Sequence, residues 1–307
     1  MTVRNFISLH ELTADEVAYL LDLSSRVKGE PGRYTEALDR QTLAMIFEKS
    51  STRTRVSFEV GMFQLGGHAL FLSSRDIQLG RGETISDTAR VLSRYVDLIM
   101  ARTFAHRTVT DLAKWAEVPV INGLTDELHP CQVLADLFTL REEFGELSGR
   151  KIAYVGDGNN MSHSLMFGAA KVGMDIAVAT PPGYEPKEKY LALARQDAQV
   201  CGIEIAVTED PHEAVAGASC VCTDVWASMG QEQEAAKRRE AFAGYTVDES
   251  IMESAREDAV FLHCLPAHRE EEVASEVADG PWSRIFDEAE NRLHVQKAIM
   301  LWLQGAD

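Results

Sequence analysis

Nine short apolar runs, each four to six residues long and separated by stretches with helical spacing, limit this chain more than any other feature. In the first half they are Thr42 to Phe47, His68 to Leu72, Asp97 to Ala101 and Val118 to Ile121. Between them, Arg53 to Leu65, Thr84 to Tyr95 and Arg107 to Ala116 carry apolar residues three to four positions apart, the spacing of a helix with one buried face. Strands that alternate with helices are joined by crossovers rather than hairpins, so the pattern predicts a parallel sheet with helices on its faces. The second half repeats it, with strands expected at Lys151 to Val155, Asp175 to Ala179, Glu204 to Val207, Cys220 to Val225 and Val260 to His263. A helical stripe of Val133, Leu134, Leu137, Phe138 and Leu140 runs out near the loop-like segment Gly145 to Gly149, which places the domain boundary there. The expected architecture is α/β, two doubly wound domains covering 1–147 and 148–287. In the last segment, 288–307, Leu293, Ile299, Met300 and Leu303 share one helical face; it is too short to fold alone and is expected to pack back on the first domain.

At 307 residues the chain is long enough for two such domains, and 45% hydrophobic with 25% charged residues suits a large buried core. Lys and Arg number 30 against 48 Asp and Glu, a net charge of −18. Such a surface repels nucleic acid and anionic lipid, so neither is an expected partner, and any anion site must be a compact pocket of cations. The five cysteines, Cys131, Cys201, Cys220, Cys222 and Cys264, are odd in number and show no CxxC spacing, which fits a reducing compartment better than a disulfide framework or a zinc site. No run approaches the ~18 apolar residues of a membrane span, and Met1 to His10 lack the charged and apolar regions of a signal peptide. A cytoplasmic location is therefore expected.

Ser50, Ser51, Thr52, Arg53, Thr54 and Arg55 follow a predicted strand and open a predicted helix. A helix start offers backbone N–H groups and a positive dipole end, and hydroxyls with a guanidinium beside them suit a phosphate dianion; an ordinary cap by Ser51 or Thr52 explains the same residues. Gly156, Asp157, Gly158, Asn159 and Asn160 similarly lie between a strand and a helix expected to begin near Ser162. They imitate a dinucleotide-binding turn, but Met161 stands where its third glycine would fall, which argues against a nicotinamide cofactor. The acidic run Glu270 to Glu272 reads as a solvated helix start.

Phe47 to Thr54, with the sequence FEKSSTRT, closely resembles the carbamoyl-phosphate signature of the aspartate and ornithine carbamoyltransferases. His129, Pro130, Cys131 and Gln132 resemble that family's carbonyl-binding segment, and His263 to Arg269 resembles its ornithine branch. A fourth block, Asp224 to Gly230, is similar to the loop by which that branch holds its amino acid. The resemblance extends through Arg292 in the last helix and so covers nearly the whole chain.

It implies attack of ornithine's side-chain amine on carbamoyl phosphate, giving citrulline and phosphate, a step of arginine biosynthesis, with neither a metal nor an organic cofactor. The sequence leaves open whether the reaction runs in the biosynthetic or the degradative direction. A transferase acting on another amine, putrescine or an acylated ornithine, is the alternative, and Ser228, Met229 and Gly230 disfavour it. By the resemblance, Ser51, Thr52, Arg53 and Thr54 take the phosphate, while Arg102 and His129 point at the carbonyl oxygen and the phosphate. Gln132 and the Leu265 carbonyl accept from the carbamoyl NH2, and Arg292 closes the site. Taken without the resemblance, Arg102 reads as a surface arginine, His129 as a helix-start residue, Asp224 as a cap and Cys264 as inert packing. Asn160 would meet ornithine's α-carboxylate, Asp224 and Ser228 its α-ammonium group, and Met229 would close the pocket. Cys264 would lie near the reacting amine without acting as a nucleophile. Gln78 aligns with a position that reaches into a neighbouring subunit's site, which implies a homotrimer with shared active sites.

Overall fold

Residues 42–47 form β1 (Thr42–Phe47), buried from Leu43 onward, in a computed structural model that describes residues 3–74, 82–227 and 234–307. Before it, α1 (Ala14–Gly29) starts at a reciprocal cap: the Thr13 hydroxyl accepts the Glu16 N–H at 3.1 Å and the Glu16 carboxylate accepts the Thr13 N–H at 3.0 Å. The chain continues through α2 (Thr52–Gln64), β2 (His68–Ser73), α3 (Ile85–Leu92), β3 (Leu98–Arg102), α4 (His106–Trp115), β4 (Val120–Leu124) and α5 (Pro130–Phe144). The four strands are parallel in the order β2-β1-β3-β4, and β1 and β3, central and covered on both faces, are continuous apolar runs for that reason. On the outer side of β4, Phe6 pairs with Ile121 and closes that edge, whereas β2 at the opposite edge is largely exposed.

From β1 the chain crosses to β2 on one side and then returns to β3 on the other. Right-handed crossovers then put α2 and α3 on opposite faces and separate the loops that leave β1 and β3. Phe47 and Arg102 are register partners at that split, and a register shift against β4 falls at Ala101/Arg102, the kind of irregularity that re-aims a side chain.

The second sheet comprises β5 (Lys151–Val155), β6 (Asp175–Ala179), β7 (Ile205–Thr208), β8 (Cys220–Thr223) and β9 (Val260–His263), all parallel, in the order β7-β6-β5-β8-β9. Its helices are α6 (Asn160–Val172), α7 (Glu188–Cys201), α8 (Pro211–Val215), α9 (Ala235–Ala241), α10 (Glu249–Glu253) and α11 (Ser275–Ala278). The split here lies between β5 and β8. Strands β1, β5, β6 and β9 have the expected bounds. β8 ends two residues early, because the Asp224 carboxylate accepts the next backbone N–H, from Val225, at 2.8 Å and turns the chain out of the sheet. Helix α6 begins at Asn160 rather than Ser162, because Asn159 caps it.

The last helix, α12 (Ile285–Gln304), completes the chain. Two compact units result, Met1–Ala135 with Glu290–Asp307, and Asp136–Ala289, so the chain changes unit inside α5 and again inside α12. The later part of α12 packs on α2 of the first unit: a Cβ added at Gly61 would stand 3.2 Å from Lys297 Cγ, and Ile299, Met300 and Leu301 are fully buried.

Candidate active site

In the first unit the chemistry gathers at the N-terminus of α2. Ser51 is extended and caps the helix, its hydroxyl accepting the Thr54 N–H at 3.2 Å. The Thr54 hydroxyl in turn accepts from Arg102 and from Arg292, each at 3.3 Å, and Arg292 also donates to the Gln132 carbonyl at 2.5 Å. Ser51, Thr54, Arg102, Gln132 and Arg292 are thus brought together, although Arg292 lies 160 residues beyond Gln132 in the chain. Thr52 and Arg53 occupy the same helix end. Arg102, Arg292, Gln132 and Thr54 are all buried.

His129 is buried immediately before α5, and its pKa is held well below the usual imidazole value, first by burial and then by the charges of Arg292, Arg102 and Arg53. It is neutral at physiological pH and can donate one hydrogen bond without adding charge. Three guanidiniums around a neutral imidazole and a hydroxyl make a strongly anion-attracting pocket in a chain of net charge −18. Beside the helix end a cavity of about 860 Å³ is lined by Ser50, Ser51, Thr52, Arg55, Phe63 and Phe71, among others.

Glu48 and Lys49 of the same motif are braces. The Glu48 carboxylate accepts the Phe104 N–H at 2.9 Å, and buried Lys49 pairs with Asp126 and lies 4.7 Å from the Phe104 ring, so both tie the loop after β1 to those after β3 and β4. Cys131 is buried packing: its thiol donates to the Asn122 carbonyl at 3.3 Å, and burial pushes its pKa up to about 12. Gln78 lies outside the described residues.

The second unit has its own cluster at the split between β5 and β8. Asp224, the first residue after β8, accepts at Oδ1 from the Cys264 thiol at 3.2 Å and at Oδ2 from Asn159 Nδ2 at 2.9 Å. Asn159 Oδ1 faces the other way, capping α6 through the Met161 N–H at 2.8 Å and accepting from the Tyr154 hydroxyl at 3.3 Å. Burial, reinforced by Asp224 and Asp157, raises the Tyr154 pKa, so the phenol remains a donor. Burial and then Asp224 raise the Cys264 pKa well above the usual thiol value, so its sulfur is protonated and poorly nucleophilic at neutral pH. Asn160 is the first residue of α6, and Leu265 follows Cys264 in the same turn. Ser228 and Met229 lie outside the described residues.

Arg238 of α9 donates at 2.8 Å both to Asp157 and to the Trp226 carbonyl, pinning the loops after β5 and β8 to each other. Sequence reasoning passed over Asn159, Tyr154 and Arg238. Asn159 carried a signal, an amide just before a helix, whereas Arg238 sits in a basic stretch of ordinary helix-surface appearance. Gly158 is explained by packing: a Cβ there would lie 2.2 Å from the Glu185 carbonyl carbon and the Pro186 nitrogen. Met161, at the position of a dinucleotide turn's third glycine, is buried. Among the described residues, two groups have ligand atoms close enough to share a metal ion, Asp224 with His263 and Cys264, and His268 with Glu271 and Glu272. In both, hydrogen bonds and ion pairs already engage these side chains.

Residues 4–142 match the family model described as aspartate/ornithine carbamoyltransferase, carbamoyl-P binding domain, and residues 148–303 match its Asp/Orn binding domain. The chain is 58% identical over 304 residues to the ornithine carbamoyltransferase of Carboxydothermus hydrogenoformans, covering 98% of each. To that of Pyrococcus abyssi it is 53% identical, covering 98% of this chain and 96% of the other. Among solved structures it is similar to ornithine carbamoyltransferase from Pyrococcus furiosus, with a TM-score of 0.95 and 53% identity over 99% of this chain and 98% of that one. The anabolic enzyme from Campylobacter jejuni matches with a TM-score of 0.93 and 41% identity over 99% of this chain and 100% of that one.

Proposed function

Because the chain belongs to the aspartate/ornithine carbamoyltransferase family, we propose that it transfers the carbamoyl group of carbamoyl phosphate to the side-chain amine of L-ornithine, yielding L-citrulline and phosphate for arginine biosynthesis. The observation that carries this reading is the convergence of Arg102 and Arg292 on the Thr54 hydroxyl at the mouth of α2. The helix N–H groups with Ser51, Thr52, Arg53 and Thr54 hold the phosphate, whose departure as a dianion is the electrostatically demanding part of the step. Negative charge growing on the carbonyl oxygen is met by Arg102 and by neutral His129. Gln132 takes the carbamoyl NH2 together with the Leu265 carbonyl.

In the second unit Asp224 receives ornithine's α-ammonium group, with Ser228, and Asn160 its α-carboxylate. Met229 closes the pocket, and Cys264 stands beside the attacking amine as a neutral thiol. That amine resembles lysine's, with a free pKa of ~10.4, and must lose its proton before attack. Turnover at saturating substrate therefore rises with pH between about 6 and 9; a flat profile under rate-limiting chemistry contradicts the mechanism. Because His129 is already neutral there, the rise belongs to the substrate.

The enzyme works in the cytoplasm as a homotrimer in which Gln78 of one subunit completes the site of the next. Support comes from the exposed edge strand β2 and from the exposed apolar side chains of Val56, Val60, Phe63, Leu70 and Phe71 on and beside it. The deciding experiment is citrulline formation from carbamoyl phosphate and ornithine, with putrescine and acetylornithine as rival acceptors. Turnover with ornithine alone is expected, and preference for either rival overturns the assignment.

A further inference from the structure

In the acidic run before α11, Glu270 is exposed and accepts the Ser275 N–H at 3.1 Å, as a solvated helix start would, but Glu272 departs from that expectation. Glu272 is fully buried. Its Oε1 accepts from the His268 backbone N–H at 2.5 Å and meets His263 Nε2 at 3.2 Å. On the other side of that ring, His263 Nδ1 accepts the Leu265 N–H at 2.9 Å. A backbone N–H can only donate, so Nδ1 carries no proton, Nε2 does, and the proton on Nε2 points at Glu272. The His263 N–H is held separately by Glu288 at 3.1 Å.

What this chain of bonds holds is an unusual turn. Leu265 has φ +56°, a backbone region that a bulky L-residue enters only when its surroundings impose it. Directly before it, Cys264 donates to Asp224. We infer that Glu272 is a positioning residue for carbamoyl transfer: by fixing the tautomer of His263 it holds the Leu265 N–H, and so sets where the Leu265 carbonyl and the Cys264 thiol stand. This rests on the proposed reading of that turn, in which the Leu265 carbonyl meets the carbamoyl NH2 and Cys264 stands beside ornithine's amine. Glu272 itself touches no substrate.

The test uses the full chain with 15N-labelled histidine and the substitutions Glu272→Leu and Glu272→Gln. In the unaltered protein the His263 ring is expected to show a protonated Nε2 and a bare Nδ1; a protonated Nδ1 overturns the inference, and this readout needs neither activity nor a variant. Glu272→Leu is expected to lose that ring pattern and to lower kcat about a hundredfold, the scale of misplaced reacting groups, while inorganic phosphate binds as before. Glu272→Gln, whose amide oxygen accepts from both donors, restores the ring pattern and most of the rate. A Leu variant with unaltered kcat, or a Gln variant as slow as the Leu variant, overturns the inference. If the unaltered protein forms no citrulline, the ornithine reading fails, and the ring pattern still decides whether Glu272 sets the tautomer.

Discussion

Residue by residue, the site works through where charge is placed and where it is withheld. Arg53, Arg102 and Arg292 bring positive charge to one pocket, and that same charge, added to burial, denies His129 a proton. Replacing Arg53 with Ala removes a proposed phosphate partner and is expected to cost about 2–4 kcal/mol of transition-state stabilisation, read as kcat/KM for carbamoyl phosphate. His129 also links the pocket to stability. Its folded pKa lies below the unfolded value of ~6.5, so below that pH the unfolded chain binds more protons than the folded one and stability falls as pH drops. The urea midpoint should decline between about pH 7 and pH 5, and His129→Gln should make that decline shallower. The hydroxyls and arginine of the Ser51 to Arg55 stretch were legible because charge and hydroxyls at a strand-to-helix junction have a known chemical use. Asn159 and Arg238 were not: the first looks like any cap, and the carboxylate that the second meets, Asp157, is 81 residues away in the chain.

At the level of elements, a strand that polar or glycine residues bound on both sides, such as β5 between Arg150 and Gly156, could be located to the residue. β8 could not, because the apolar Val225 continues the pattern past a turn that the Asp224 carboxylate makes with its own neighbour. The glycines of the β5–α6 turn show the same limit, since sequence alone does not separate a glycine that admits a ligand from one that admits another loop. Gly158 is the second kind. Its substitution by Ala meets the backbone of Glu185 and Pro186, and is expected to destabilise the second unit by about 1–3 kcal/mol in urea unfolding. Phosphate binding at α2 in the first unit should be unaffected, which separates this loss from damage to the anion pocket.

For the whole molecule, the repeated α/β pattern made two parallel sheets legible, and the sheet orders explain why each unit carries its cluster where loops diverge at the strand ends. What sequence did not reveal is that α5 and α12 each run through both compact units, since helical periodicity carries no mark of which residues a helix meets. Assembly belongs to this scale. The proposed trimer with shared sites predicts that Phe71→Glu, on the exposed edge strand, yields single chains that form no citrulline; an active monomer contradicts the shared site. The bare edge of β2 also has a cost for a newly made chain. Until something covers it, that edge is an adhesive border, so the fraction of refolding material stuck in precipitates should climb with chain concentration and shrink on dilution.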